Sequence, residues 1–284
     1  MRLADLGRVR KASDGDLGVA FEYAIHDAVM RQEEVITDRV ATALKKVKIT
    51  QGDPASILFA IEKTGAKQLV ETKRELITPE SRALSGKRGQ PVKLQGYLNQ
   101  LAAAFHRPTS RVQLPRSIRG LWKADLFLGS AEPDRWVGAS VKINRLQLDG
   151  AEGLRIGIVP TSSGKSDAVR LDESRNLVVC PVPHDFSFMQ VFYTGMRIVQ
   201  ALVASDFKMP SDALLPEPAH REVARIYVER RNFKIGEVLD AVSTFAQPSL
   251  LETTAENVTA TLYEGSRPSE TFTALGPIPR TDLA

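Results

Sequence analysis

The chain has 284 residues, 43% of them hydrophobic and 25% charged, with a formal net charge of +4. That length buries a large core in one domain or two, and the composition is that of a globular chain rather than a disordered or fibrous one. No stretch approaches the ~18 apolar residues of a membrane span. The N-terminus, MRLADLGRVRKASDGDLG, lacks a signal peptide's apolar core, and the single cysteine, Cys180, excludes an internal disulfide or a multi-cysteine metal site; both fit a reducing cytoplasm.

Residues 1–16 are polar and read as irregular. Leu17 to Val29 reads as a helix, capped by Asp14 or Asp16, with Leu17, Phe21, Ala24, Ile25 and Ala28 as its apolar stripe, and is expected to continue through Arg31 to Lys45. Glu22 and His26 lie four apart and share a face, so a solvated pair is the plain reading of both. Asp53-Pro54 opens a second helix over Pro54 to Ala66, and Thr78-Pro79-Glu80 opens another. Ser85 to Gln90 is a flexible basic loop, Leu94 to Phe105 is a helix, and Arg107 to Gly120 is extended around Pro108 and Pro115. Residues 45–110 therefore read as a helical layer inserted between the first helix and a sheet.

Charge is uneven along this half. Residues 1–80 carry 13 basic and 13 acidic groups, whereas residues 81–124 carry 9 basic groups and no acidic one. A block of one sign attracts polyanions, with salt-dependent binding. Lys87, Arg88, Lys93, Arg111, Arg116, Arg119 and Lys123 of this block, with Asn144 beyond it, are the expected nucleic-acid contacts.

The block runs into a hairpin. Trp122 to Leu128 alternates as a strand, Gly129 to Asp134 is a turn in which Glu132 and Asp134 read as solvated, and Trp136 to Leu146 is a second strand. Asp125 and Lys142 sit among bulky apolar neighbours, a costly placement for charge unless the two pair or bind something. Gly153 to Val159 is a third strand. Thr161 to Asp167 holds Gly-Lys-Ser but lacks the upstream glycine of a phosphate-binding loop, so it reads as a plain loop. Asn176 to Val182 is a buried central strand in which Cys180 is a small hydrophobe, and Phe186 to Ser205 is a helix. A proline-rich link over 210–218 divides a 1–209 core from a mainly helical 210–284 extension, with helices over Ala219 to Val242, an edge strand over Glu256 to Tyr263 and a tail.

Hydrolysing a phosphodiester needs a divalent cation on carboxylate oxygens, a way to orient water, and positive charge to meet developing negative charge. Asp125 can hold Mg²⁺ or Mn²⁺, Lys142 can position water or phosphate, Glu22 can complete the site from the first helix, and the Val141 carbonyl can add an oxygen. This arrangement resembles the PD-(D/E)XK nuclease superfamily. Its pattern is an aspartate on the second core strand and an acidic-x-lysine on the third, here Asp125 and Ser140-Val141-Lys142, with GVAFEYAIH resembling the glutamate-bearing first helix. The resemblance covers roughly residues 17–30 and 120–205. It departs at the second acidic position, where Ser140 offers only a hydroxyl as a weak ligand.

The resemblance implies an α/β, restriction-endonuclease-like mixed sheet flanked by helices, with a helical insertion and a C-terminal extension. It implies a Mg²⁺-dependent deoxyribonuclease of a restriction or antiviral defence system, acting on DNA as a homodimer. Two alternatives stay open: a non-catalytic nucleic-acid-binding subunit, which Ser140 favours, and a structural protein whose basic block contacts an acidic protein partner.

Overall fold

The structure, a computed structural model, describes residues 17–60, 75–86, 89–148, 152–161 and 166–183, helical residues within 188–196, and the backbone of strands 257–264 and 267–275. The chain divides into two compact units, Leu17–Pro183 on one hand and Met1–Asp16 with His184–Ala284 on the other. No described helix is long and apolar enough to cross a membrane.

The Leu17–Pro183 unit is a mixed α/β layer structure around one sheet. Helix α1 (Leu17–Met30) buries Ala20, Phe21, Ala24, Ile25, Ala28 and Val29, the four-residue recurrence of an inward face. It does not run on to Lys45. Gln32 takes a left-handed φ of 56°, and its side chain donates to the Val29 and Pro54 carbonyls, stabilising the break before α2 (Glu34–Lys46).

Eight strands form the sheet: β1 (Ala55–Leu58), β2 (Arg82–Ser85), β3 (Gln90–Lys93), β4 (Leu126–Ser130), β5 (Arg135–Val141), β6 (Arg155–Pro160), β7 (Arg170–Asp172) and β8 (Leu177–Val182). Its main path is β1-β4-β5-β6-β8-β7. β4 is antiparallel to β1 and β5, whereas β5, β6 and β8 are parallel. β2 lies parallel to the first half of β5, through Arg82–Leu84 against Arg135–Val137, and carries β3 on its other edge; β6 takes the second half of β5, Ala139–Val141. The sheet therefore forks beside Gly138. At the fork the Leu154 N–H donates to the Gly86 carbonyl at 2.9 Å, and a Cβ on Gly153 would lie 2.9 Å from the Gly86 nitrogen, so only glycine fits.

Two expectations fail here. Pro54 begins no helix: Ala55–Leu58 is a strand antiparallel to β4, because a short, mainly apolar run after a proline suits either state and the open edge of β4 decides between them; residues 61–66 of the expected helix lie outside the described residues. Nor does Thr78-Pro79-Glu80 start a helix. It is a turn into β2, so the 45–110 segment contributes three strands to the sheet as well as the helices α3 (Leu98–His106) and α4 (Pro108–Val112). α4 also interrupts the stretch expected to be extended.

One face of the sheet packs Phe59, Phe127 and Trp136 with Leu101, Ile118 and Leu121 from the α3 side. Helices α1 and α2 cover the other, α1 against β1 and β5 and α2 against β8. Cys180 of β8 points its thiol at the Arg39 carbonyl of α2, 3.6 Å away, and burial pushes its pKa up to about 12. In the second unit β9 (Asn257–Glu264) and β10 (Arg267–Leu275) pair as an antiparallel two-stranded sheet, so the chain expected to be a tail is partly a strand. The helices expected over Ala219 to Val242 lie outside the described residues. Of the helix expected from Phe186 to Ser205, the described residues, Phe188, Met189, Phe192, Tyr193, Gly195 and Met196, are helical.

Candidate active site

Strand β4 starts later than alternation suggests. Leu121–Lys123 is a 3₁₀ turn, its backbone closed by Leu121 N–H to Ile118 O and Ala124 N–H to Leu121 O. Pairing begins at Asp125, whose N–H donates to the Ala139 carbonyl at 2.8 Å and whose carbonyl accepts from Phe59 and Ala60 at 2.9 and 2.8 Å. Asp125 is thus clamped by its backbone from both neighbouring chains, and its carboxylate has one place to go.

That place is the end of β5. Asp125 Oδ2 accepts the Val141 N–H at 3.0 Å and the Lys142 ammonium at 2.7 Å. The strand stops at Val141 and does not run on to Leu146, because this N–H bonds a side chain instead of a neighbouring strand. The Lys142 N–H is tied to the Ile158 carbonyl of β6, and Arg145–Gln147 is a 3₁₀ turn that Asn144 caps by accepting the Leu146 N–H. Lys142 Nζ also donates to Glu22 Oε1 of α1 at 3.3 Å. Three residues from positions 22, 125 and 142 therefore meet at one point.

Glu22 and Asp125 are 8% and 7% exposed, so two carboxylates are held almost out of water with one ammonium between them. Burial alone would push the Lys142 ammonium down, but the charges of Asp125 and Glu22 and their hydrogen bonds outweigh it, and its pKa lies above the usual lysine value. Lys142 is charged at neutral pH.

His26 does not pair with Glu22. Its Nδ1 is hydrogen-bonded to the Ser56 hydroxyl of β1 at 3.0 Å, and burial lowers its pKa to about 4. Asp134 is not simply solvated either. It takes hydrogen bonds from Thr78 Oγ1 (2.6 Å), Ser81 Oγ (2.5 Å) and Trp136 Nε1 (3.0 Å), which tie the β4–β5 turn to the start of β2.

Ser140 lies across from Asp125 in the β4–β5 register, and its hydroxyl is engaged. Arg155 of β6, 4% exposed, donates to Ser140 Oγ at 2.9 Å and to the Gly120 carbonyl. Sequence reasoning passed over Arg155, yet its signal was the one that drew attention to Asp125: a lone charge inside an apolar strand, LRIGIV.

Of the expected nucleic-acid contacts, Arg116 and Lys123 are exposed. Lys93 reaches Glu80 at 3.7 Å, Arg119 reaches Glu152 at 3.9 Å, and Arg111 stacks over Trp122. Lys87 and Arg88 lie outside the described residues.

Among the described residues no group of three or more His, Cys, Asp or Glu side chains is arranged to hold a metal ion. The donors present are the carboxylates of Glu22 and Asp125, both within 3.3 Å of a common cationic atom. Hard oxygens in that number suit Mg²⁺, which is bound through one or two carboxylates, keeps several waters and shares phosphate oxygens. Of the Val141 peptide, it is the N–H that meets Asp125. Comparison of the chain with protein-family models, with curated proteins and with solved structures finds no match.

Proposed function

We propose that the protein is a Mg²⁺-dependent deoxyribonuclease of the restriction-endonuclease-like kind, acting in restriction or host defence, with Mn²⁺ as a substitute cation. The observation that carries the reading is the convergence of Glu22, Asp125 and Lys142 on one atom, the lysine Nζ, at 3.3 and 2.7 Å. Strand order supports it: β1, β4, β5 and β6 adjoin in that sequence, with Asp125 immediately before the second and Lys142 immediately after Ser140-Val141 at the end of the third.

In this reading Glu22 and Asp125 hold the cation, which when bound supplies Lewis acidity at the scissile phosphate. The Val141 N–H and the clamped Asp125 backbone fix the carboxylate's aim. Lys142 is charged at neutral pH, so it serves as a hydrogen-bond donor and counter-charge, orienting water or meeting the charge that grows on the phosphate. It is not the base.

A second reading, a nucleic-acid-binding subunit without catalysis, is favoured by the Arg155–Ser140 contact, which puts a cation where the nuclease pattern has an acid. Incubation of the purified chain with plasmid, linear and single-stranded DNA in Mg²⁺ or Mn²⁺, beside Asp125→Ala and Lys142→Ala, separates the two. Cleavage that both substitutions abolish in folded protein supports the nuclease. DNA binding without any cleavage supports the second reading.

A further inference from the structure

The site leaves unused the surface formed by the end of α3, α4 and the 3₁₀ turn that leads into Asp125. There the Arg111 guanidinium lies 4.5 Å from the centre of the Trp122 ring, and Lys123 Nζ lies 5.7 Å from it. Arg111 is fixed in place: its Nε donates to the Ala104 carbonyl at 2.8 Å and its Nη2 to the Phe105 carbonyl at 3.2 Å. The Phe105 ring, 40% exposed, sits 6.5 Å from Trp122 and 5.5 Å from the exposed His106. Arg107 and Lys123, which adjoin these flat groups in the chain, are exposed, as is Arg116 in the segment joining α4 to the 3₁₀ turn, and residues 81–124 contain no acidic side chain.

Planar faces held rigid beside unopposed cations match one ligand chemistry well. Nucleobases have π-faces that stack on aromatic rings and guanidinium planes, and their backbone supplies the anions. A duplex hides those faces within its own stack; a single strand offers them. An acidic protein surface would satisfy the cations and leave the rings without matching partners.

We propose that this surface binds unpaired nucleotides, with bases stacking on Phe105, Trp122 and Arg111 and phosphates meeting Arg107, Arg116 and Lys123. The preferred nucleic acid is then single-stranded, or a duplex with an unpaired segment. The proposal rests on the reading of nucleic acid as substrate, and goes beyond it by assigning the strand state and two aromatic contacts.

The test is binding of full-length protein in EDTA to a labelled oligothymidylate and to a hairpin duplex of equal charge, read by anisotropy and by intrinsic fluorescence. The chain has two tryptophans. Trp136 is fully buried, so quenching on binding reports Trp122. The single strand should bind about tenfold more tightly than the duplex and quench the emission, and Trp122→Ala or Phe105→Ala should each weaken it about tenfold while changing duplex binding less than about twofold. Lys123→Glu, at an exposed position, serves if the aromatic variants fail to fold, and should weaken binding of both forms. Duplex binding as tight as single-strand binding, or no quenching, or unchanged affinity in folded Trp122→Ala, overturns the proposal. A protein that binds in this way but never cleaves sinks only the nuclease reading.

Discussion

Arg155 donates to the hydroxyl of Ser140 at 2.9 Å from a position that is 4% exposed. Strand β5 therefore presents, beside Asp125, a hydroxyl already engaged by a buried cation, at the position where the proposed nuclease pattern has its second carboxylate. A carboxylate placed there would meet Arg155 first.

Ser140→Asp is expected to pair with Arg155 instead of a metal ion. Calorimetric titration with Mn²⁺ should show affinity within about twofold of the wild type, since a carboxylate beside a buried guanidinium is neutralised by it. A tenfold or greater gain in affinity would show that the pair does not form.

Lys142→Met removes the ammonium shared by Glu22 and Asp125 and leaves two nearly buried carboxylates facing each other. The variant should lose about 3 kcal/mol of stability in EDTA, the low end for breaking a buried ionic set. Millimolar Mg²⁺ should return more stability to it than it gives the wild type, because the cation replaces the lost charge. Melting curves with and without Mg²⁺ test this. Equal gains in the two proteins would mean that the carboxylates do not share a cation.

Acid stability should depend on His26. Its pKa is about 4 in the folded protein, against 6.5 for the free side chain. Between those values the unfolded chain binds a proton that the folded one refuses. The contribution is fully present above pH 6.5, falls as pH drops through this window, and is flat below about 4. The loss amounts to roughly 3 kcal/mol. Urea midpoints at about pH 7.5 and about pH 4.5 should differ more for the wild type than for His26→Gln. Identical pH dependence in the two would assign the acid sensitivity elsewhere.

Asp134 carries the turn between β4 and β5 on three side-chain hydrogen bonds, at a left-handed φ of 48°. Burial alone would raise its pKa, but the bonds from Ser81, Thr78 and Trp136 prevail and hold it below the usual carboxylate value. Asp134→Ala should cost about 1–2 kcal/mol, a figure reduced because the site is only half-buried. Asp134→Asn keeps a polar side chain that tolerates this backbone conformation and should cost less. Denaturant unfolding of both variants checks the order.

Asp125 and Lys142 stood out in the sequence because charge inside an apolar strand is expensive, and the expense has to be answered by a partner. Glu22 was legible for a related reason, as a polar residue bordering the buried stripe of a helix. Arg155 carried the same signal in a run read only as a strand, and was passed over. Backbone state was less legible where segments are short. Ala55–Leu58 follows a helix-favouring Asp-Pro, and Arg82–Ser85 follows Thr-Pro-Glu; both become strands because open edges of β4 and β5 offer hydrogen bonds that no local propensity records. Lys142 lies just past β5, where the Val141 N–H meets the Asp125 carboxylate while the Lys142 N–H still bonds the Ile158 carbonyl of β6.

The forked sheet bears on how this architecture can be taken apart. Because β2 occupies the edge of β5 that β6 leaves open, residues 75–93 are not an accessory that can be trimmed or transplanted. Excision would bare three consecutive residues of β5, Arg135, Trp136 and Val137, to pairing with other molecules, and would strip Asp134 of its Thr78 and Ser81 donors. A minimal version of this protein must keep its graft.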